Sequence, residues 1–381
     1  MFALPCWKKK SEIDLSRPAC VCTVALPARF DFIGGWTDTP PYYFDHEAGV
    51  LNATLVLHRE KLGSVEIFED NHASKAIQIS IQPAGTFTAS ENGVRISDLK
   101  NHVILRKVFE HLGLQYPQIS LSISNSIPKG SGLGGSSLLA ASLLAALYSG
   151  YEGTEYISGH IQELINTVLY IEQLMESGGG WQDQIGGIFP GIKLIQTTPN
   201  DACHYSLQYL DKSCHALLNR NSLIIDSRIQ RKASLILYSI RQKYLDNDHA
   251  AIKMLESIAR NARIGFHMLK EGNLLDFASL LSESWIMVNE VEASSIESVE
   301  ALKKVCGKDL IGVKIGGAGG GGFILAIFPD GEKREYYKRI IEEHLPDNCP
   351  YYPVFGGSGL AWAAKGEVLG HFRLTEEMEY V

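Results

Sequence analysis

A run of glycines between residues 128 and 137 constrains this chain more than any other stretch. Within it Gly130, Gly132, Gly134 and Gly135 leave a backbone that can turn tightly and present bare N–H groups. The following segment, 136–148, is rich in Ala and Leu, and we predict a helix capped by serine. Because a glycine loop that leads into a helix N-terminus binds anions, most often phosphates, this pattern predicts nucleotide binding.

The bulk composition limits the class of ligand. The 381 residues are enough for a large core and for two domains, and the formal net charge is −8. A nucleic-acid or anionic-membrane binder needs a basic face, so we expect neither as a partner, while the oligomeric state is left open. The sequence has no apolar run of membrane-spanning length, and its seven cysteines are scattered. An apolar patch precedes the lysines at 8–10, the reverse of the order in a secretory signal, so we expect no such signal. We therefore expect reduced thiols in a cytoplasmic protein.

Hydrophobic periodicity predicts an α+β fold. Residues 21–33 alternate as one strand, with Arg29 and Asp31 on the face opposite Phe30 and Phe32. Glu172 falls in the apolar stripe of a predicted helix over 160–177, where a charge needs a partner or a metal. Further predicted strands cover 50–58, 63–68, 76–81, 119–123, 311–315 and 323–328, with a last pair on either side of 356–359, and further helices cover 102–112, 229–245, 249–269 and 274–290.

Two glycine-rich patterns have competing interpretations. The sequence has no Walker A motif, and Gly130-x-Gly132-x-x-Gly135 matches the dinucleotide-binding fingerprint. Five residues including Pro128 separate it from the preceding strand, which argues against a nicotinamide-dependent oxidoreductase. The segment 316–322, GGAGGGG, lies between apolar strands rather than polar linkers, and we predict a tight turn that lets another loop or a ligand come close.

The residues also fit phosphoryl transfer, which needs a phosphate cradle, a magnesium ion and a group that deprotonates the attacking hydroxyl. Ser136 or Ser137 offers a hydroxyl and Glu172 a carboxylate to the metal. Asp183 is a candidate base, and Arg29 is a candidate to hold it ionised and to neutralise developing charge. The structural alternatives are that Asp183 and Ser136 only cap helices and that Arg29 only pairs with Asp31.

Three motifs resemble those of the GHMP kinases. PKGSGLGGSS at 128–137 is similar to their P-x-x-x-G-L-G-S-S motif, PARFDFIGGWTD at 27–38 to their N-terminal motif, and GGAGGGGF at 316–323 to their C-terminal motif. Within the family, GGWTDTPPY at 34–42 and GGGWQDQIGGIFPGIK at 178–193 look most like the kinase region of L-fucokinase. Galactokinases carry Glu-His where this chain has Gly35-Trp36. Heptose-phosphate kinases tend to lack Trp36 and Trp181.

The resemblance implies a two-domain fold with the active site in the interdomain cleft. It implies an N-terminal domain at 1–195, with the glycine loop and the catalytic aspartate, and a C-terminal domain at 196–381, with the loop 316–322. It assigns Asp183 and Arg29 to catalysis, Glu172 and Ser136 to the metal, and Trp36, Thr37, Asp38 and Asp183 to the substrate. It implies that ATP binds to Pro128, Lys129, Gly130, Ser131, Gly132, Leu133, Gly134, Gly135, Ser136 and Ser137.

The resulting expectation is an ATP- and Mg²⁺-dependent kinase that converts L-fucose to L-fucose 1-phosphate. For sugar contact, Trp181 is a weaker candidate than Trp36, Thr37 and Asp38. The alternatives are a heptose 7-phosphate (or other sugar) 1-kinase of the same family and a catalytically inactive sugar sensor on this scaffold. Fucokinases are often long chains with a nucleotidyltransferase region ahead of the kinase. About 20 residues precede the first motif here, so we expect another protein to form the GDP-sugar.

Overall fold

A computed structural model describes most of the chain. The described residues are 14, 19–59, 76–115, 117–153, 156–199, 204–230, 233–292, 296–364 and 367–371. The strand predicted at 63–68 lies outside them. No helix in these segments is both long enough and apolar enough to cross a bilayer. Among the described cysteines, Cys20, Cys22, Cys214, Cys306 and Cys349 are free thiols.

Strands are numbered along the chain, and seven of them form one sheet. They are β1 (Cys22–Leu26), β4 (Ile77–Pro83), β5 (Thr88–Glu91), β6 (Val94–Arg95), β7 (Ile119–Asn125), β14 (Ala361–Ala364) and β15 (Glu367–His371). Their order is β15-β14-β1-β4-β7-β5-β6, and the pairs are antiparallel except for β5 with β7. The apolar side chains of β1, β4 and β7 alternate inward, as a half-buried antiparallel sheet requires.

A second, antiparallel sheet joins the two halves of the chain. Its members are β2 (Ala28–Ile33), β3 (Ala48–His58), β8 (Ile192–Thr197), β9 (Ser206–Tyr209), β10 (Ser222–Asp226), β11 (Gly312–Ile315), β12 (Phe323–Ile327) and β13 (Cys349–Phe355). The order is β11-β12-β10-β13-β3-β8-β9, with β2 also paired to β3. The boundary expected after residue 195 falls inside β8, and the division of the chain there stays a prediction.

The single strand predicted over 21–33 is wrong, because Pro27 divides it into β1 and β2. β1 pairs with β4 and β14 in the first sheet, whereas β2 pairs with β3 in the second. Proline has no backbone N–H to donate to a ladder, so the chain changes sheets at this residue. The change buries both faces of β2, including Arg29 and Asp31.

The helices confirm most of the predicted segments. They cover Tyr42–Asp45, Val103–Leu112, Gly135–Glu152, Tyr156–Gly159, Ile161–Leu174, Gln182–Ile188, Lys212–Asn221, Ala233–Leu245, His249–Lys270, Leu274–Val291, Glu297–Cys306 and Gly331–His344. The helix Gly135–Glu152 is buried along most of its length, which its Ala/Leu composition explains. The predicted serine cap is wrong, since Gly134 occupies the N-cap position and Ser136 lies in the first turn. The helix N-terminus is therefore left without a capping side chain.

Candidate active site

A cleft of about 510 Å³ lies where the glycine loops meet. One group of lining residues comes from the first sheet and the segments beside it. Another comes from the segments after β2 and β11, from the start of the helix Gln182–Ile188 with the glycines before it, and from the helix Ala233–Leu245. The first group includes Glu91, Asn101, His102, Val103, Ile104, Asn125, Ile127, Pro128 and Lys129. The second includes Trp36, Thr39, Gly179, Gly180, Gln182, Asp183, Leu237, Gly317 and Ala318. The rest of the lining consists of Arg29, Gly130, Ser131, Gly132, Gly134, Gly135, Ser136 and Leu139.

The two predicted glycine loops touch each other through their backbones. A Cβ on Gly132 would sit 2.4 Å from the carbonyl oxygen of Gly316, and one on Gly317 would sit 2.8 Å from the Cα of Gly132. The amide of Phe323 donates to the carbonyl of Ser131 at 3.1 Å. The prediction that 316–322 admits a second loop is confirmed, and that loop is the first glycine motif.

The first loop lines the cleft and leads directly into the helix Gly135–Glu152. Gly130, Gly132 and Gly134 have φ of +71°, +75° and +81°, a region that favours glycine. Gly134 has no side chain to cap the helix, so the first-turn N–H groups keep their capacity for an anion. Ser136 lines the cleft at this point.

Arg29 and Asp183 form an ion pair at the wall of the cleft. The Arg29 Nε donates to Asp183 Oδ1 at 2.8 Å, and the Arg29 Nη1 donates to the carbonyl of Gly132 at 2.6 Å. Arg29 is 2% exposed, whereas the Asp183 side chain is 23% exposed and open to the cleft. Burial raises the pKa of the Asp183 carboxyl, and the Arg29 guanidinium opposes that rise. The pair therefore leaves an accessible carboxylate with a cation fixed behind it.

Arg29 also contacts Asp31, as the structural alternative expected, so it pairs with both carboxylates. Its Nη1 donates to Asp31 Oδ1 at 3.2 Å, and the Gly317 amide donates to the same oxygen at 2.9 Å. The Lys314 ammonium donates to Asp31 Oδ2 and to the Asp31 carbonyl. Asp183, Arg29, Asp31 and Lys314 thus form a row of alternating charge.

The predicted metal residues meet behind the helix N-terminus. Glu172 is 2% exposed, and its Oε1 accepts from the Ser137 hydroxyl at 2.9 Å. Its Oε2 accepts from the Ser177 hydroxyl. Burial raises the pKa of Glu172, and the hydroxyls of Ser177, Ser137 and Ser136 oppose that rise. The expectation that a charge in this apolar stripe needs a partner is confirmed.

This donor set consists of hard oxygens, which Mg²⁺ prefers. The described part of the chain contains no cluster of three or more His, Cys, Asp or Glu residues that would form an all-protein metal cage. Mg²⁺ usually takes one or two carboxylates and completes its shell with phosphates and water, so Glu172 and the adjacent serines fit it. Ser137 donates to Glu172 at 2.9 Å and Ser136 lines the cleft, so both residues stay candidates.

Thr37 and Asp38, two of the predicted substrate residues, bond to backbone groups and do not line the cleft. The Thr37 hydroxyl donates to the carbonyl of Gly34 at 2.7 Å. Asp38 is fully buried and accepts from the amides of Trp36, at 3.1 Å, and Gln182, at 3.0 Å. Burial raises the pKa of Asp38 to about 7, and the Gln182 N–H opposes the rise. Asp38 ties the segment after β2 to the start of the helix that carries Asp183.

The two tryptophans occupy different environments. Trp36 has a positive φ of +81° and lines the cleft, and its buried indole N–H lacks a hydrogen-bond partner in the described part of the chain. Trp181 is fully buried and packs against Tyr43 and Tyr205, with ring centroids 6.5 Å and 5.7 Å away. Trp36 is only 2% exposed but borders the cleft, whereas Trp181 is a core residue outside the cleft lining.

Comparison with protein families decides the relationship. The model of the GHMP kinases N terminal domain matches residues 100–191, and the model of the GHMP kinases C terminal domain matches residues 266–347. The chain belongs to the GHMP kinase family. The resemblance drawn from the three motifs is thereby confirmed, and so is the two-domain α+β architecture.

Relatives of this GHMP kinase include two larger proteins. It is 30% identical over 364 residues to a bifunctional fucokinase/GDP-fucose pyrophosphorylase of Arabidopsis thaliana, covering 91% of this chain and 34% of that protein. It is 27% identical over 356 residues to an L-fucokinase/L-fucose-1-P guanylyltransferase of Bacteroides fragilis, covering 84% of this chain and 36% of that protein. The chain thus spans about a third of the length of these relatives.

Solved structures show the same fold. A crystal structure of a D-glycero-D-manno-heptose 1-phosphate kinase from Bacteroides thetaiotaomicron aligns with a TM-score of 0.66 at 18% sequence identity. The alignment covers 90% of this chain and 98% of that chain. At this identity the likeness concerns the fold alone.

Sequence reasoning missed two contributors to the site of this GHMP kinase. Lys314 appeared only as part of a buried strand, although a lysine between two apolar residues beside a glycine loop was a signal. Ser177 lies next to the glycine run that ends the Glu172 helix, and its bond to Glu172 depends on the turn there. The Lys314 contact with Asp31 joins residues 283 positions apart, and the Ser177 contact depends on the turn that ends the helix, so neither follows from spacing alone.

Proposed function

We propose that this GHMP kinase transfers the γ-phosphoryl group of ATP to the anomeric hydroxyl of a sugar, and that the sugar is L-fucose. The observation that carries the proposal is the Arg29–Asp183 pair, whose carboxylate opens onto a cleft that the glycine loop and an uncapped helix N-terminus also line. A phosphate site and a base thus share one cavity, which is what phosphoryl transfer to a hydroxyl needs.

In the proposed reaction, amides of the Gly130–Ser137 loop hold the ATP phosphates. Asp183 accepts the proton of the anomeric hydroxyl, whose oxygen forms the new bond to the γ-phosphorus while the bond to the departing ADP breaks. Arg29 keeps Asp183 ionised and offsets the charge that develops on the transferred group. The proton leaves Asp183 to water once the sugar 1-phosphate and ADP have dissociated.

Glu172, with Ser136 or Ser137, is the proposed Mg²⁺ site, since these oxygens converge beside the same helix N-terminus. Bound Mg²⁺ neutralises negative charge on the nucleotide phosphates. Without the metal, the Ser137 and Ser177 hydroxyls satisfy the Glu172 carboxylate and hold it in place.

The second group of cleft-lining residues favours an unphosphorylated deoxy sugar as the substrate. Trp36, Leu237 and Ala318 give this end of the cleft an apolar wall, which suits the methyl group that L-fucose carries at C6. The unpartnered Trp36 indole N–H offers a donor to a sugar oxygen, as amphipathic aromatic side chains commonly do in ligand sites. The relatives named as fucokinases in Arabidopsis thaliana and Bacteroides fragilis add support.

The test is Mg-ATP-dependent ADP release by the purified protein across a panel of sugars, with the product's phosphate position determined by phosphorus NMR. The panel is L-fucose, D-arabinose, D-galactose, L-arabinose, N-acetylhexosamines and heptose 7-phosphate. We expect turnover with L-fucose and its close analogue D-arabinose, and a phosphate on C1. Turnover with another sugar alone would overturn the choice of substrate, and ATP binding without turnover of any sugar would favour the sensor.

A heptose 7-phosphate is the second candidate because Arg241 lies beside Gly178, the residue before the cleft residue Gly179. The Arg241 Nη1 is 3.8 Å from the position that a Cβ on Gly178 would take, so it lies close to the turn before Asp183. A distal phosphate would need such a partner. Arg241→Gln should then abolish turnover of the phosphorylated heptose, whereas turnover of L-fucose should be unaffected by the same change.

A further inference from the structure

The row of alternating charges continues behind the cleft, from the Arg29–Asp183 pair to Asp31 and Lys314. Arg29 is 2% exposed, Asp31 is fully buried and Lys314 is 8% exposed, so water screens none of them effectively. Lys314 lies on β11, two residues before the glycine segment that packs on Gly132. The row therefore connects the C-terminal loop to the base through side chains alone.

The hydrogen bonds divide the guanidinium between two carboxylates. Its Nη1 serves Asp31 and the Gly132 carbonyl, and its Nε and Nη2 both serve Asp183. Asp31 needs only one bond from Arg29 because Lys314 and the Gly317 amide satisfy its other sites. Without that ammonium, a buried carboxylate would be undercompensated and would draw more of the guanidinium toward itself.

We propose that Lys314 is a positioning residue for phosphoryl transfer, which acts through Asp31 to keep the Nε–Nη2 edge of Arg29 on Asp183. This inference rests on the proposed function. Lys314 also lies over the Phe30 ring, with Nζ 5.8 Å from its centroid, so the ammonium is held from a second side. The other charged groups facing the Arg29–Asp183 pair are Asp38 and Glu172, and neither contacts Lys314.

The experiment compares Lys314→Met, Asp31→Asn and the double variant with the wild-type protein. Arg334→Met is the matched control, because it also removes a buried cation of the C-terminal half, one that donates to the Asn219 carbonyl outside the cleft lining. The first readout is the Nε–Hε NMR resonance of Arg29, assigned by Arg29→Lys. The second is kcat for ADP release with the preferred sugar, alongside the ATP dissociation constant of each variant.

We expect Lys314→Met to shift the Arg29 resonance and to lower kcat by about 10- to 100-fold, while ATP binding changes by less than about threefold. Lys314→Arg should recover most of the rate, since it restores the cation. The double variant should lose no more rate than the poorer single variant, because Lys314 acts through Asp31. Arg334→Met should leave both readouts unchanged in the folded protein.

An unmoved Arg29 resonance in Lys314→Met would overturn the proposal, as would rate losses that multiply in the double variant. A loss of folded protein without a change in kcat of the folded fraction would also overturn it, because that result means a purely structural role. The resonance is measured without substrate. If the wild-type protein turned over no sugar, the proposed function would fail while the resonance still reported whether Lys314 holds Arg29.

Discussion

The contact between the two glycine loops can be tested by adding a single methyl group. In Gly132→Ala the new Cβ would lie 2.4 Å from the Gly316 carbonyl oxygen and 2.8 Å from its carbon. Both neighbours are backbone atoms, so no side chain can rotate away. The loops must separate by about 0.6 Å or more before the contact is tolerable.

Gly272 provides a matched control for this substitution. It has the same φ of +75° as Gly132, but a Cβ there meets nothing within 4 Å. Gly272→Ala should therefore lower the free energy of unfolding only by the cost of a left-handed alanine, about 1–2 kcal/mol. Gly132→Ala should lower the free energy of unfolding by this same amount and, in addition, by the cost of separating the two loops.

We expect Gly132→Ala to lower the unfolding free energy more than Gly272→Ala does, by about 1–3 kcal/mol, as an overpacked contact would. Displacing the phosphate loop should also reduce kcat/KM for ATP by about 100-fold, whereas Gly272→Ala should leave it unchanged. Urea unfolding and initial rates of ADP release measure the two effects. Equal stability in the two variants, together with a wild-type kcat/KM in Gly132→Ala, would refute the close approach of the loops.

Three further predictions concern individual side chains. Because the folded-state pKa of Asp38 is raised to about 7, its ionisation destabilises the fold as pH rises from about 4 through 7; Asp38→Asn should remove that slope from the pH dependence of urea unfolding. Glu172→Gln should raise the Mg²⁺ concentration needed for half-maximal rate at least about tenfold with little change in ATP binding without metal, and an unchanged requirement would move the metal site elsewhere. Trp36→Phe should raise the KM for the sugar about 3- to 10-fold by removing one hydrogen-bond donor, whereas Trp181→Phe should lower stability and leave that KM unchanged; the reverse pattern would contradict the two environments assigned to these rings.

Two features of the site could be predicted from the sequence because an unusual residue type interrupts a regular pattern there. A carboxylate in an apolar helical stripe indicated that Glu172 needs a partner, and it has two hydroxyl partners. The glycine-rich segment 316–322 indicated a close backbone approach, and Gly132 makes it. Both inferences depend only on the types of residues that are neighbours in the sequence.

Other features depended on tertiary structure. Residues 21–33 have the alternation of one strand, and the change of sheets at Pro27 follows from which neighbours each half finds. Asp31 and Lys314 are 283 residues apart, so their pairing depends on β11 and β2 reaching the same place in the fold. Thr37 and Asp38 have the residue types of sugar ligands, but backbone groups nearby compete for their oxygens.

The central claim is that Asp183 deprotonates a sugar hydroxyl for attack on ATP. The most direct measurement compares sugar-dependent ADP release by the wild-type protein and by Asp183→Asn, with ATP binding measured by calorimetry for both. Asn keeps the size of Asp183 and cannot accept the proton, so we predict a fall in kcat of at least about 100-fold with an ATP dissociation constant within about threefold of wild type. A variant that binds ATP normally and keeps most of its rate would contradict the account.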